Sequence, residues 1–283
     1  MKKLMFAMAA IAAGAAVADV TSANTVGYMT GAMASDTAKN KYNMMSVPFE
    51  AVDGKGISLS DINFANHTVS LSPADSDNVM FWKPDIQDYE KYYFFGYAGW
   101  EDEIPPIWQN ANDDSPFDTD HPEGIAPGTV FWYYSFKTES AVSQSMTVSG
   151  AVAAEPYQTF TVNHKVGKNA YYFIANPYPA NIDISWNGGE VVWGSAVPSL
   201  SPADSDNILI WDASKQDYVK YYLFGYAGWE EEIAPIWQNS NDDTPFEEEF
   251  KNGLPAGTGF WYYAYQTETA QTQTIRFNSP LAK

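Results

Sequence analysis

The chain of 283 residues contains no cysteine. That excludes a disulfide framework, a thiolate zinc site and a cysteine-linked lipid anchor. Histidine is scarce as well: the three, His67, His121 and His164, lie far apart in sequence, and no two have metal-ligand spacing. A serine-nucleophile motif and a phosphate-cradling glycine loop are missing too. Basic residues are few, 15 Lys and Arg against 35 Asp and Glu. Like-charge repulsion therefore argues against nucleic acid and anionic membrane surfaces as partners. Beyond the first residues no apolar run reaches the ~20 residues of a membrane-spanning helix, so no membrane span is expected. Helical patterning is almost absent, with one weak capping box, Ser58-Leu59-Ser60-Asp61-Ile62, good for a single turn.

What is present begins at the N-terminus. Lys2 and Lys3 precede an unbroken apolar run, Leu4 to Val17, and Ala16-Val17-Ala18 supplies a small-x-small cleavage pattern before Asp19. Residues 1–18 therefore read as a signal peptide, with a second possible cut after Ala23. Its removal takes 15 basic residues to 13 and the formal charge from −20 to −22. The expected location is secreted or cell-surface, outside the cytoplasm of a bacterium. An aromatic content of 16% argues against disorder despite the charge. The chain is long enough to build cores without disulfides.

The mature chain is a duplication. LSPADSDN at Leu71 returns at Leu200, an offset of 129, and the alignment runs without a gap from Leu71 to Glu139. Trp82, Trp100, Trp108 and Trp132 fall on Trp211, Trp229, Trp237 and Trp261, while Trp186 and Trp193 have no counterpart. Upstream, Asn43 to Phe49 lies over Tyr172 to Tyr178. Two homologous units follow, 19–150 and 151–283. Asn78 to Trp82, Tyr89 to Phe95, Val130 to Phe136 and Gln144 to Gly150 are short, aromatic and β-branched, with turn residues between them, and their counterparts read alike. The expected fold is all-β, two tandem homologous antiparallel β-sandwich or small-barrel domains. Ala126-Pro127-Gly128-Thr129 suits a type II turn, whereas in Pro255-Ala256-Gly257-Thr258 placing Ala256 at i+2 and Gly257 at i+3 reads as type I.

Oxygen-rich loops are the first candidate site. Asp75 and Asp77 repeat as Asp204 and Asp206. Asn110, Asn112, Asp113 and Asp114 repeat as Asn239, Asn241, Asp242 and Asp243. Calcium takes six to eight oxygen ligands, and such loops can supply several, making calcium the candidate cofactor. Neither loop is an EF-hand, and Asx turns are the competing reading. Aromatic platforms are the second candidate. Alternation puts Tyr89, Lys91 and Tyr93 on one strand face, repeated as Tyr218, Lys220 and Tyr222. Trp100 and Trp229 follow a turn and precede acids, which suits stacking on a sugar. The competing reading is tyrosines buried with satisfied hydroxyls. Trp82, Trp211, Trp132 and Trp261 lie inside strands and are expected in the core. A glycosidase needs two facing carboxylates, and nothing isolates a pair.

The order of motifs carries a resemblance. Val26-Gly27-Tyr28 opens the mature chain, an Asp-x-x-x-x-Trp segment spans Asp77 to Trp82, and each unit closes with a Pro/Gly turn before Phe-Trp. This arrangement resembles secreted proteins of unknown function abundant in bacteria of the planctomycete, verrucomicrobia and lentisphaera group. The resemblance implies a surface or matrix location and no assigned reaction. The expectation is a non-enzymatic, self-associating structural protein of the cell surface. An extracellular carbohydrate-binding protein, with polysaccharide as partner, is the alternative.

Overall fold

The computed structural model describes residues 25–98, 103–227 and 232–282. Residues 1–18, expected to be a signal peptide, lie outside the described residues, as do Trp100, Trp229, Glu101, Asp102, Glu230 and Glu231. In unit 1 the alternating apolar segments form eight strands: β1 (Val26–Met33), β2 (Lys41–Ser46), β3 (Asn63–Ala65), β4 (Asn78–Lys83), β5 (Asp88–Ala98), β6 (Glu103–Asn110), β7 (Val130–Ser135) and β8 (Gln144–Ala151). Unit 2 repeats them as β9 (Tyr157–His164), β10 (Ala170–Ala175), β11 (Val191–Val192), β12 (Asn207–Asp212), β13 (Asp217–Ala227), β14 (Glu232–Asn239), β15 (Gly259–Ala264) and β16 (Gln271–Asn278). The capping box forms one turn of 3-10 helix, Leu59–Asp61, with the Ser58 hydroxyl accepting from the Ser60 amide.

Each unit is a three-stranded sheet on a five-stranded one, ordered β1-β8-β3 and β2-β7-β4-β5-β6 in unit 1. Unit 2 has β9-β16-β11 and β10-β15-β12-β13-β14. All strand pairs are antiparallel and the sheets remain open, so the units are sandwiches rather than barrels. Spatial register obeys the sequence offset: Met33 pairs with Gln144, and Val162 with Gln273.

Pleating places Val79, Phe81, Tyr92, Phe131 and Tyr133 on the inner face of the large sheet, against Phe64, Met146 and Val148 of the small one. Ile208, Ile210, Tyr221, Phe260 and Tyr262 do the same against Val162, Ile275 and Phe277. Trp108 and Trp237 are buried members of these cores.

Two of the sequence expectations are corrected. Gly257 has φ +69 and the Thr258 amide bonds to the Pro255 carbonyl, matching Gly128 at φ +81 and the Thr129–Ala126 bond. Glycine thus occupies the third position of both turns and both are type II. The type I reading placed the second turn one residue too early.

The four strand tryptophans are corrected in part: Trp132 and Trp261 are buried and Trp82 and Trp211 half-buried, but none of the four belongs to a sandwich core. They stand on the outer faces of the large sheets, where the units meet. Trp82 lies edge-on to Trp261 at 5.1 Å, and Trp132 edge-on to Trp211 at 5.0 Å. The Trp82 indole N–H donates to the Tyr171 carbonyl (3.1 Å) and that of Trp211 to the Tyr42 carbonyl (2.9 Å). Each contact maps onto its partner through the 129 offset, the self-complementary pattern of a two-fold dimer written into one chain. Phe173 has no aromatic counterpart; it packs at 3.7 Å on Trp261 and 6.0 Å on Trp132.

Edge-to-face pairs contribute roughly 0.5–1.5 kcal/mol each beyond their area burial. The intact protein is therefore expected to unfold in one transition. Trp132→Ala with Trp261→Ala uncouples the units, and calorimetry should resolve two transitions, the lower at a reduced midpoint.

Candidate functional site

The carboxylates of Asp77 and Asp206 are fully buried in equivalent positions. Asp77 Oδ2 accepts from the Tyr133 hydroxyl (2.6 Å) and the Thr68 amide (2.9 Å), and Oδ1 from the Phe136 amide (2.7 Å). Asp206 repeats this with Tyr262 (2.5 Å), Val197 (2.9 Å) and Tyr265 (2.8 Å). Burial pushes both carboxyls above the ordinary aspartate value; these bonds pull them back, together with His67 at Asp77 and, more strongly, His164 at Asp206. His164 stands only in unit 2; its counterpart in unit 1 is Ser35. Its Nε2 lies 2.8 Å from Gln273 Oε1 and 3.7 Å from Asp206 Oδ2, and its Nδ1 lies 2.8 Å from the Tyr265 carbonyl. Asp75 and Asp204 are exposed beside these anchors. The two aspartates of each loop thus face different surroundings, one the interior and one solvent.

The second loop follows β6 and β14. Asn110 Oδ1 accepts from the Asn112 amide (3.0 Å), and Asp113 Oδ1 from the Ser115 amide (3.1 Å). Asn239 with Asn241 (3.0 Å) and Asp242 with Thr244 (3.1 Å) repeat both Asx turns. Asp114 and Asp243 take left-handed backbone, φ 65 and 62, which aspartate tolerates better than most residues.

The anchor beneath this loop was not singled out from sequence. Asp120 accepts from Ser115 (2.6 Å), Tyr92 (2.9 Å) and Asn110 (3.2 Å). The Ser115 hydroxyl does most to hold its carboxyl below the usual range. Glu249, its counterpart, accepts from Asn239 (2.9 Å) and from Tyr221. An acid at the same offset from each loop was the available signal, masked by the change from Asp to Glu. Among the described residues, no group of three or more His, Asp or Glu comes together at metal-binding geometry.

The Tyr-Lys-Tyr faces lie on the outer side of the large sheets. Tyr93 and Tyr222 are buried, while Tyr89 and Tyr218 are half-buried and accept the Trp132 and Trp261 indole N–H at 3.1 and 3.0 Å. Burial raises the Tyr218 hydroxyl to about 12. Lys220 donates to the Pro202 carbonyl (3.2 Å), and desolvation lowers both Lys91 and Lys220. These faces are not free platforms. The structure brings Tyr89 and Tyr218 together in one cavity of about 320 Å³ at the seam, with Tyr42, Met80, Trp132 and Trp211. Lys91, Tyr93, Lys220 and Tyr222 do not line it.

Most sheet edges carry a device against further pairing. β6 and β14 hold Pro105, Pro106 and Pro235 and start with glutamate. β2 and β10 have carbonyls capped by the indole of the other unit, and Gln216 bonds both the amide (2.8 Å) and carbonyl (3.0 Å) of Tyr42. β3 and β11 are very short. β1 and β9 differ: each is eight residues long and free of proline, aspartate, glutamate, lysine and arginine. The Tyr172 hydroxyl closes the far end of β9 at Asn163, bonding its amide (3.0 Å) and carbonyl (2.9 Å). Among the described residues, 26–33 and 157–162 remain as plain edges, paired on one side only.

These features define a duplicated antiparallel β-sandwich protein whose halves are joined through an aromatic seam. Compared with known proteins, the chain matches no family model and no curated protein. No helix among the described residues is long and apolar enough to cross a membrane.

Removing a buried hydrogen-bonded carboxylate leaves its donors unpaired. Asp77→Ala and Asp206→Ala should each cost about 3 kcal/mol, read as a lower urea midpoint, with unit 2 also losing the partner of His164.

Proposed function

We propose that this is an exported, non-catalytic structural protein that associates with copies of itself by pairing β1 and β9 edges. The observation that supports it is the contrast among edges. A chain with 35 acidic residues leaves two long edges without any charge while the others are blocked, capped or short. Chargeless, proline-free edges are templates for strand addition. A second copy is the occupant that fits best, because the two edges are homologous and one chain presents both. Such a bivalent unit extends into an array. The surface location implied by the resemblance agrees with this reading. Calcium has a role here as counter-ion: exposed Asp75, Asp113, Asp114 and their repeats could be bridged between molecules that otherwise repel.

Light scattering on the mature protein tests this. Particle mass should rise with concentration, rise further with calcium and fall with chelator. Thr30→Glu with Thr161→Glu, which places a charge on each open edge, should hold the protein monomeric in both conditions. A wild-type monomer throughout would sink the proposal.

Attachment to an extracellular polysaccharide is the second reading. The seam cavity favours it, because two tryptophans and three tyrosines there offer stacking faces. Tryptophan fluorescence should then shift with a soluble polysaccharide, and Tyr42→Ala should reduce the shift several-fold. An unchanged shift in that variant would remove the seam from consideration.

A further inference from the structure

The two tryptophans without a partner in the repeat mark the place where the units diverge. Residues 57–64 of unit 1 read ISLSDINF, and the aligned residues 186–193 of unit 2 read WNGGEVVW. In unit 2, Trp193 replaces Phe64. Its indole packs at 4.9 Å on Trp237 and stacks at 6.0 Å on Tyr262. Trp186 closes on Trp237 from another side at 6.4 Å, and the Asn187 amide reaches the Pro235 carbonyl of β14 (3.3 Å). Trp237 is sealed completely. The region is one continuous piece of core.

Unit 1 builds the same region from smaller parts. Ser58 and Ser60 stand in the aligned span, the short 3-10 turn replaces the Trp186 segment, and Phe64 is smaller than an indole. A cleft of about 390 Å³ remains beside Trp108. That volume lies within the ~300–1,000 Å³ of small-molecule sites. Its floor is made of rings: Phe94 lies 4.7 Å from Trp108, and Phe64 lies 5.4 Å from Trp108. Its rim carries exposed Asp61, Asn63 and Asp118. Both oxygens of Asp118 accept serine hydroxyls, from Ser58 and Ser60 (3.0 Å), so the carboxylate is held in place. No lysine or arginine lines the cleft; its basic side chain is His67, packed edge-on at 4.3 Å against Phe94.

We infer that this cleft, present in unit 1 and plugged in unit 2, binds the pyranose ring of a neutral or amino sugar. A pyranose has an apolar C–H face, which suits a floor of rings, and a girdle of hydroxyl donors, which suits carboxylate and amide acceptors. A rim with two carboxylates and no lysine or arginine repels uronates and sulfated sugars. The inference is independent of self-association and of the seam cavity. It gives one unit a recognition role while both keep the scaffold role.

Saturation-transfer NMR and calorimetry on the mature protein test it, with glucose, galactose, N-acetylglucosamine, glucosamine and glucuronate as probes. At least one neutral or amino sugar should bind, with Kd on the order of 1 mM, and glucuronate should not. Phe64→Trp, which copies the plug that unit 2 already tolerates, should weaken binding at least tenfold. Asp61→Asn, on an exposed side chain, should weaken it several-fold without moving the melting midpoint, and Tyr42→Ala at the seam should leave it unchanged. Failure of every neutral and amino sugar to bind, or full binding by Phe64→Trp, overturns the inference. A matching tetrasaccharide that binds at least as well assigns the cleft to a polysaccharide, whereas its exclusion assigns it to free sugar.

Discussion

A carboxylate buried out of reach of water is tolerable only if donors surround it, and Asp77 and Asp206 recruit theirs from separate parts of each unit. The Thr68 amide belongs to the segment entering β4, the Tyr133 hydroxyl to β7 and the Phe136 amide to the residues just beyond it. Meeting the needs of one charge therefore fixes how the loop before β4 lies against the end of β7. It also orients Tyr133, whose ring stacks at 4.9 Å on Phe64 in the small sheet. The same arrangement recurs around Asp206, where His164 stands 3.7 Å from the carboxylate while His67 acts on Asp77 electrostatically. Sheet packing, ring orientation and the position of the acidic loop all follow from this anchor.

With each core closed from within, the outer faces of the large sheets are left apolar and must find cover. Duplication supplies it. A face that complements itself through Trp82, Trp132 and their repeats can be satisfied by a second copy in the same chain, so the seam is a dimer interface made permanent by covalent linkage. No acid lines the seam cavity itself, although Asp217 adds to the burial that raises the Tyr218 hydroxyl and Asp85 of unit 1 to that of Tyr172 in unit 2. Acids among these rings would repel one another in a chain whose formal charge is −20. The indole caps on Tyr42 and Tyr171 serve the same end, because they close two sheet edges while orienting the rings.

Against this symmetry the span 57–64 and its counterpart 186–193 stand out. The surrounding strands, cores and turns tolerate either a pair of tryptophans or a serine-rich 3-10 turn, since both span the gap between the sheets. One choice gives a continuous interior and the other a cleft with acids at its lip. Duplicated sandwiches can diverge in this way without losing their fold, because the anchor carboxylate and the seam lie elsewhere.

The sequence alone determined the duplication, its 129-residue offset, the strands and their all-β class. These depend on local patterning and turn chemistry, which each stretch carries by itself. The alternation of β5 was also legible, including the division between Tyr92 and the pair Tyr89 and Tyr93. What each face meets was not. An aromatic strand face satisfies its physics equally well against a core or against another unit, so only tertiary structure could assign Trp132 to a seam and Trp108 to a core. The acidic loops divide in the same way. Asp75 and Asp77 are one residue type two positions apart, and burial, a property of the packed whole, made one an exposed acid and the other the anchor of its unit.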